Sequence, residues 1–122
     1  MVGQAMKRIL VVDDDQGILD SFDVLLGDRY NLVKADNGYE ALRILEKDPP
    51  PLMFLDIRMP GLDGIAILKQ LQDRQKDVRV VVITATSQEK TEEEARSLGA
   101  IGYLKKPLDV FEIDRIASQF LP

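Results

Sequence analysis

The chain contains no cysteine and no histidine. The first absence excludes disulfides, thiolate catalysis and Cys-based metal sites, and the second removes histidine as a base or ligand. Basic charge is also in short supply: 16 Lys and Arg stand against 21 Asp and Glu, a formal net charge of −5. A nucleic-acid or anionic-membrane surface needs a net basic patch to neutralise phosphates, so binding to either by this chain is not expected. No apolar run approaches membrane-spanning length and no signal-peptide pattern opens the chain, which favours a cytoplasmic setting. Whatever chemistry exists must use carboxylates, lysines and hydroxyls.

What is present is enough for one core. At 122 residues and 45% apolar the chain has the size and composition of a single globular domain. Residues 1–6 are expected to be a leader or disordered start, with the domain occupying 7–121. The stretch Leu52-Met53-Phe54-Leu55-Asp56 is a continuous apolar run ending on a carboxylate, followed by the Pro/Gly-rich segment Ile57 to Gly64. Such a run reads as a strand buried on both faces, and the acid then stands at its carboxyl end. In an open α/β sheet that is where chemistry is usually placed.

The remaining elements alternate in the same way. Lys7 to Asp13 is a β-branched strand running into Asp13-Asp14-Asp15, and Ile18, Leu19, Phe22, Leu25 and Leu26 repeat at helical spacing up to Gly27. Tyr30 to Ala35 is a second strand whose mixed polarity suits a sheet edge. Asn37 and Glu40 open a helix stopped by Pro49-Pro50-Pro51, and Asp63 caps a third helix bearing Ile65, Leu68 and Leu71. Val78 to Thr84 is a fourth strand. Ser87 to Leu98 is helical with little apolar surface, its Glu92-Glu93-Glu94 run a solvated face, and Gly99 ends it. Ile101 to Lys105 is a short fifth strand, and Asp109 with Glu112 opens a last helix carrying Ile113, Ile116, Ala117 and Phe120.

Five strands each followed by a helix predict a single (βα)5 flavodoxin-like, doubly wound α/β domain with a parallel sheet in the order 2-1-3-4-5. That order sets the ends of strands 1 and 3 side by side. Asp13, Asp14 and Asp56 would converge there, with Thr84 ending strand 4 and Lys106 just past strand 5. Crowded carboxylates repel unless a cation joins them, and an oxygen-only cluster suits Mg2+. A carboxylate nucleophile can accept a phosphoryl group, a transfer helped mainly by positioning and charge neutralisation. Lys106 can supply a second positive charge and the Thr84 hydroxyl a donor.

These residues resemble the receiver domain of the bacterial two-component response-regulator family. The matching pieces, in family order between about Lys7 and Phe120, are Val11-Val12-Asp13-Asp14-Asp15, Leu55-Asp56-Ile57-Arg58-Met59-Pro60-Gly61-Leu62-Asp63-Gly64, Thr84-Ala85 and Gly102-Tyr103-Leu104-Lys105-Lys106-Pro107. The resemblance implies that Asp56 is the phosphoacceptor. Asp13, Asp14, Asp56 and the backbone carbonyl of Arg58 would hold Mg2+, for which Mn2+ can substitute. Thr84 and Lys106 would contact the phosphoryl group and Tyr103 would be the switch aromatic. Lys106 is preferred to Lys105 because the family's lysine directly precedes the proline, and Lys105 would point to the opposite face if the strand persists. A cis Lys106–Pro107 peptide is expected, since cis bonds are confined to positions before proline and the family shares the feature.

The implied function is a signalling switch that takes a phosphoryl group from a histidine kinase or histidine phosphotransfer protein and loses it slowly to water. It would catalyse its own phosphorylation and dephosphorylation without being a turnover enzyme. Phosphorylation would draw Thr84 inward, let Tyr103 rotate and reshape the surface of helix 4, strand 5 and helix 5, with a second copy of the chain as an expected partner in a homodimer. Three other readings stand beside it. A flavodoxin-like cofactor binder is disfavoured by three aspartates where a flavin phosphate would sit. A carboxylate-nucleophile phosphatase needs an acid/base near Asp56, where Arg58 stands. A receiver-like protein-binding module without phosphotransfer is disfavoured because no expected acid, hydroxyl or lysine is missing.

Overall fold

The computed structural model describes residues 6–74, 77–86 and 88–121. Its elements follow in strict alternation: β1 (Arg8–Val12), α1 (Gln16–Leu26), β2 (Asn31–Ala35), α2 (Gly38–Lys47), β3 (Leu52–Asp56), α3 (Gly64–Asp73), β4 (Arg79–Thr84), α4 (Glu89–Ser97), β5 (Gly102–Lys105) and α5 (Val110–Phe120). The five strands form one sheet in the order β2-β1-β3-β4-β5, and every pairing is parallel. The predicted fold and order are therefore those observed. β2 lies at an edge with a half-exposed face, as its polarity implies, while all five residues of β3 are buried.

Side-chain alternation divides the core in two. Leu10, Val12, Met53, Leu55, Val80 and Val82 face α2, α3 and α4, where Ala41, Leu45, Ile67, Leu68 and Ala95 meet them. Ile9, Val11, Leu52, Phe54, Val81 and Ile83 face α1 and α5, against Leu19, Phe22, Leu26, Ile113 and Ile116. Period two in each strand sends successive residues to opposite layers, so buried strands need apolar residues throughout.

The helix starts follow the capping residues. Asp15, Asn37, Asp63 and Asp109 each precede a helix and accept a backbone N–H within its first turn. Each cap satisfies at least one of the amides a helix start leaves without a partner, and Asp109 meets two. α4 differs: Gln88 precedes it with no side-chain cap, and the helix begins at Glu89, later than the sequence pattern suggests. Ser87, the expected start, lies outside the described residues, as do Met1 to Ala5 of the expected leader; Met6 is exposed and without regular structure. α4 ends at Ser97, and Gly99 follows at φ 103°, a left-handed conformation that favours glycine. Gly27 caps α1 at φ −62°, so the end of that helix does not require a left-handed residue.

Phe54 and Phe22 join β3 to α1, with ring centroids 4.9 Å apart and both side chains fully buried. Truncating Phe54 to Ala removes the ring and leaves a cavity between sheet and helix. We expect a loss of about 3–5 kcal/mol of unfolding free energy, read from urea denaturation at unchanged m-value.

Candidate phosphoacceptor and metal site

The sheet order makes β1 and β3 neighbours, with Val12 beside Leu55 in register. The next residue of each strand path is an acid, so Asp13 and Asp56 arrive together at the carboxyl end of the sheet. Both are buried. Asp14 is exposed at the rim, and one carboxylate oxygen from each of Asp13, Asp14 and Asp56 falls within 4.8 Å of the others. Three acids this close have the donor chemistry of a hard divalent cation. The fit is supported by Asp13 Oδ2, a fully buried oxygen for which the described residues offer no neutral hydrogen-bond donor.

Its charge is met by Lys106 instead. The ammonium stands 2.7 Å from Asp13 Oδ2 and 3.6 Å from Asp56 Oδ2. The lysine is held at its backbone, where its N–H donates to Thr84 O at 2.7 Å. The Lys106–Pro107 peptide is cis. Lys105, the last residue of β5, is exposed.

The remaining acid oxygens are fixed by the backbone. Asp13 Oδ1 accepts from Asp15 N at 2.9 Å, and Asp56 Oδ1 accepts from Arg58 N at 3.2 Å. Burial first, and then the Asp13 charge, push the Asp56 carboxyl up from 3.8 to about 6, against the opposing pull of the Arg58 N–H and Lys106. For Lys106, burial favours the neutral form, but the bond to Asp13 and the charges of Asp56, Asp13 and Asp15 outweigh it, so its pKa is raised. The lysine is therefore charged, and it serves two acids at once.

Thr84 and Tyr103 belong to the other layer. Thr84 follows Val80 and Val82 in alternation, and Tyr103 packs against the same cluster. The Thr84 hydroxyl is buried and donates to Thr86 O at 2.9 Å while accepting from Thr86 N at 3.3 Å. It is thus turned into its own loop. The Tyr103 hydroxyl is buried without a hydrogen-bond partner among the described residues. Burial and the Glu92 carboxylate raise its pKa, opposed by the Thr84 hydroxyl, the Gln88 backbone and Arg58. So the structure gathers Asp13, Asp14, Asp56 and Lys106 in one cluster and sets Thr84 and Tyr103 beside each other at its α4 side.

Two participants have no clear mark in the sequence. Thr86 holds the Thr84 hydroxyl, and Ala35 O accepts from Asp13 N at 3.1 Å, which ties the end of β2 to the first buried acid. Both are backbone contacts, which residue type does not disclose.

With this geometry in place, the comparisons with known proteins are direct. Residues 9–118 match the response regulator receiver domain, and the chain belongs to that family. It is 37% identical over 117 residues to sporulation initiation phosphotransferase F of Bacillus subtilis (strain 168), covering 95% of this chain and 94% of that protein. It is 38% identical over 117 residues to the DNA-binding transcriptional regulator NtrC of Escherichia coli (strain K12), covering 92% of this chain but only 25% of that protein. Among solved structures, a response regulator from Burkholderia pseudomallei with a phosphorylated aspartic acid, calcium ion and citrate superposes with a TM-score of 0.81 at 29% identity, over 91% of this chain and 65% of that one. The chain therefore spans nearly all of one curated relative and about a quarter of another. Receiver domains of this family are phosphorylation-dependent signalling switches that work with histidine kinases or phosphotransfer proteins, and the acidic pocket is where they generally bind Mg2+. No described helix is long and apolar enough to cross a membrane.

The raised Asp56 value has a thermodynamic sign. Between 3.8 and about 6 the folded chain holds this proton more tightly than the unfolded one, so stability falls as pH rises through that window. Above it, ionised Asp56 costs the metal-free fold on the order of 2–3 kcal/mol. Asp56→Asn, compared with wild type by urea denaturation in chelator, is expected to be more stable by that order at about pH 7.5 and to lose the advantage by about pH 4. An equal difference at both pH values would contradict this account.

Proposed function

We propose that residues 7–121 form a receiver that accepts a phosphoryl group on Asp56 from a phosphohistidine of a partner kinase or phosphotransfer protein. A further part of the proposal is that Asp13, Asp14, Asp56 and the Arg58 carbonyl hold Mg2+, with Mn2+ able to substitute. The observation that carries the reading is the buried Asp56 carboxylate beside Asp13, with the Lys106 ammonium 3.6 Å away. When bound, the cation supplies charge neutralisation for the three acids and for the phosphoryl oxygens.

The chain's own groups do the rest. A carboxylate oxygen of Asp56 attacks phosphorus as the bond from phosphorus to the partner's imidazole nitrogen breaks. The Arg58 N–H holds the other edge of the carboxylate, and Lys106 faces the charge that the phosphoryl group brings. Slow attack of water on the acyl phosphate returns free Asp56 and inorganic phosphate. One phosphoryl group per activation is a signal rather than a turnover reaction, and the setting we propose is cytoplasmic.

Readout follows from the other layer. Thr84 exchanges its bond to Thr86 O for one to a phosphoryl oxygen, and Tyr103 shifts within the space this frees. α4 can follow at low cost, because Ala95 is its only buried residue and no side chain caps its start. A few kcal/mol from new charge-assisted contacts suffices to tip a two-state balance. The surface of α4, β5 and α5 then meets a partner, for which a second copy of the chain is our proposal.

Incubation with acetyl phosphate and Mg2+ should add one phosphoryl mass to wild type and none to Asp56→Ala, by intact mass spectrometry. Labelling that persists in the variant refutes the acceptor assignment. Mg2+ at about 100 times its Kd should stabilise the metal-free protein by about 2.7 kcal/mol, and Asp14→Ala should lose most of that gain in thermal unfolding. With beryllium fluoride and Mg2+, amide exchange should change across 85–105 in wild type and not in Thr84→Ala; matching responses in the two proteins would refute the Thr84 route.

A further inference from the structure

The corner between β2 and α2 touches both walls of the acid pocket. On one side Ala35 O holds the Asp13 N–H at 3.1 Å. On the other, Gly38, the first residue of α2, lies against the β3–α3 loop. A Cβ at Gly38 would fall 2.3 Å from Leu62 O, 2.9 Å from Leu62 Cβ and 3.1 Å from the Leu62 carbonyl carbon. Carbon atoms pack at about 3.5–4.0 Å, so even one methyl group does not fit. Two of these atoms are backbone, and no rotamer change moves them away.

The loop has little room to absorb a push at Leu62. Its far end is closed on β3: Gly64 N–H donates to Ile57 O at 3.1 Å, and a Cβ on Gly64 would fall 2.8 Å from both Asp56 O and Ile57 Cα. Asp63, next to Leu62, is engaged as the α3 cap through Ala66 N at 3.0 Å. Between these two fixed points runs Arg58, whose N–H orients Asp56 Oδ1. Displacing Leu62 thus leaves the Arg58 to Gly61 segment as the part that must move.

We propose that Gly38 is a positioning residue for the acid pocket: its missing side chain lets α2 hold the β3–α3 loop at the distance that sets the Asp56 carboxylate and the Arg58 backbone for a divalent cation. The inference rests on the metal-dependent function proposed above and adds a residue that touches neither metal nor phosphoryl group. The Gly38 contact involves no charged atom, so it acts on geometry and leaves the charge of the pocket unchanged.

The test is Mg2+ binding by isothermal calorimetry on wild type, Gly38→Ala and Leu71→Ala. Leu71 is buried in the same core cluster but sits in the last turn of α3, so its truncation lowers stability without pressing on the loop. Gly38→Ala should weaken Mg2+ roughly tenfold, as loss of an outer-shell support does elsewhere, while Leu71→Ala leaves the affinity unchanged. A readout independent of metal is the Arg58 amide resonance in chelator, which should move in Gly38→Ala and stay in place in Leu71→Ala. Trimethylamine N-oxide, added equally to all three proteins, keeps a destabilised variant folded. Wild-type affinity in Gly38→Ala, or equal weakening in both variants, overturns the proposal while leaving the function intact. Failure of wild type to bind Mg2+ brings down the function and this inference together.

Discussion

Two buried carboxylates around one ammonium are the constraint on which the rest of the site depends. Asp13 and Asp56 are neighbours because β1 and β3 pair in parallel, and their shared burial pushes Asp56 up to about 6. Lys106 relieves the repulsion in part, closer to Asp13 than to Asp56. The pocket is therefore short of positive charge on the side of the residue proposed to react. Any added cation gains from that deficit, which is why an acid cluster of this kind is better seen as a place waiting for charge than as a finished ion pair.

The division of labour follows from strand alternation. Asp56 continues the line of Leu52 and Phe54, toward the α1 and α5 layer, whereas Thr84 continues the line of Val80 and Val82, toward α4. The buried acid pair thus belongs to one face of the sheet, and the Thr84 hydroxyl and the Tyr103 ring to the other. A change at the proposed acceptor can reach α4 through the sheet's carboxyl edge, where Thr84 is the single buried polar residue of β4. The weakly anchored helix lies at the end of that route.

Most of this was legible in the chain because it depends on residue type. Apolar strands, capping acids and the Asp13, Asp56 and Lys106 positions each carry their chemistry in the side chain, and the parallel topology follows from alternation of elements. What escaped depends on backbone or on missing atoms. The α4 start shifted because no capping residue marks it; Gln88 offers no side-chain bond. The carbonyls of Ala35 and Thr86, and the space left by Gly38, have no side-chain signature at all. Gly38 follows the cap Asn37, and a glycine there reads as a turn signal until the approach of Leu62 gives it a packing reason.

The all-parallel sheet also shapes how the chain is made. Among the described residues no two strands are joined by a hairpin, so each pairing waits for a helix to be crossed, and Ile9 meets Leu52 only once α1, β2 and α2 have been passed. β1 precedes its sheet neighbours yet occupies an interior position in the sheet; α1 can cover the Ile9 and Val11 face, but the strand's two edges stay unpaired until β2 and β3 arrive. Such non-local order slows folding. It also leaves an unpaired apolar strand on the growing polypeptide, and an unpaired strand is a template for pairing with another chain. The interval before β3 pairs with β1 is thus one in which an unfinished copy is open to aggregation.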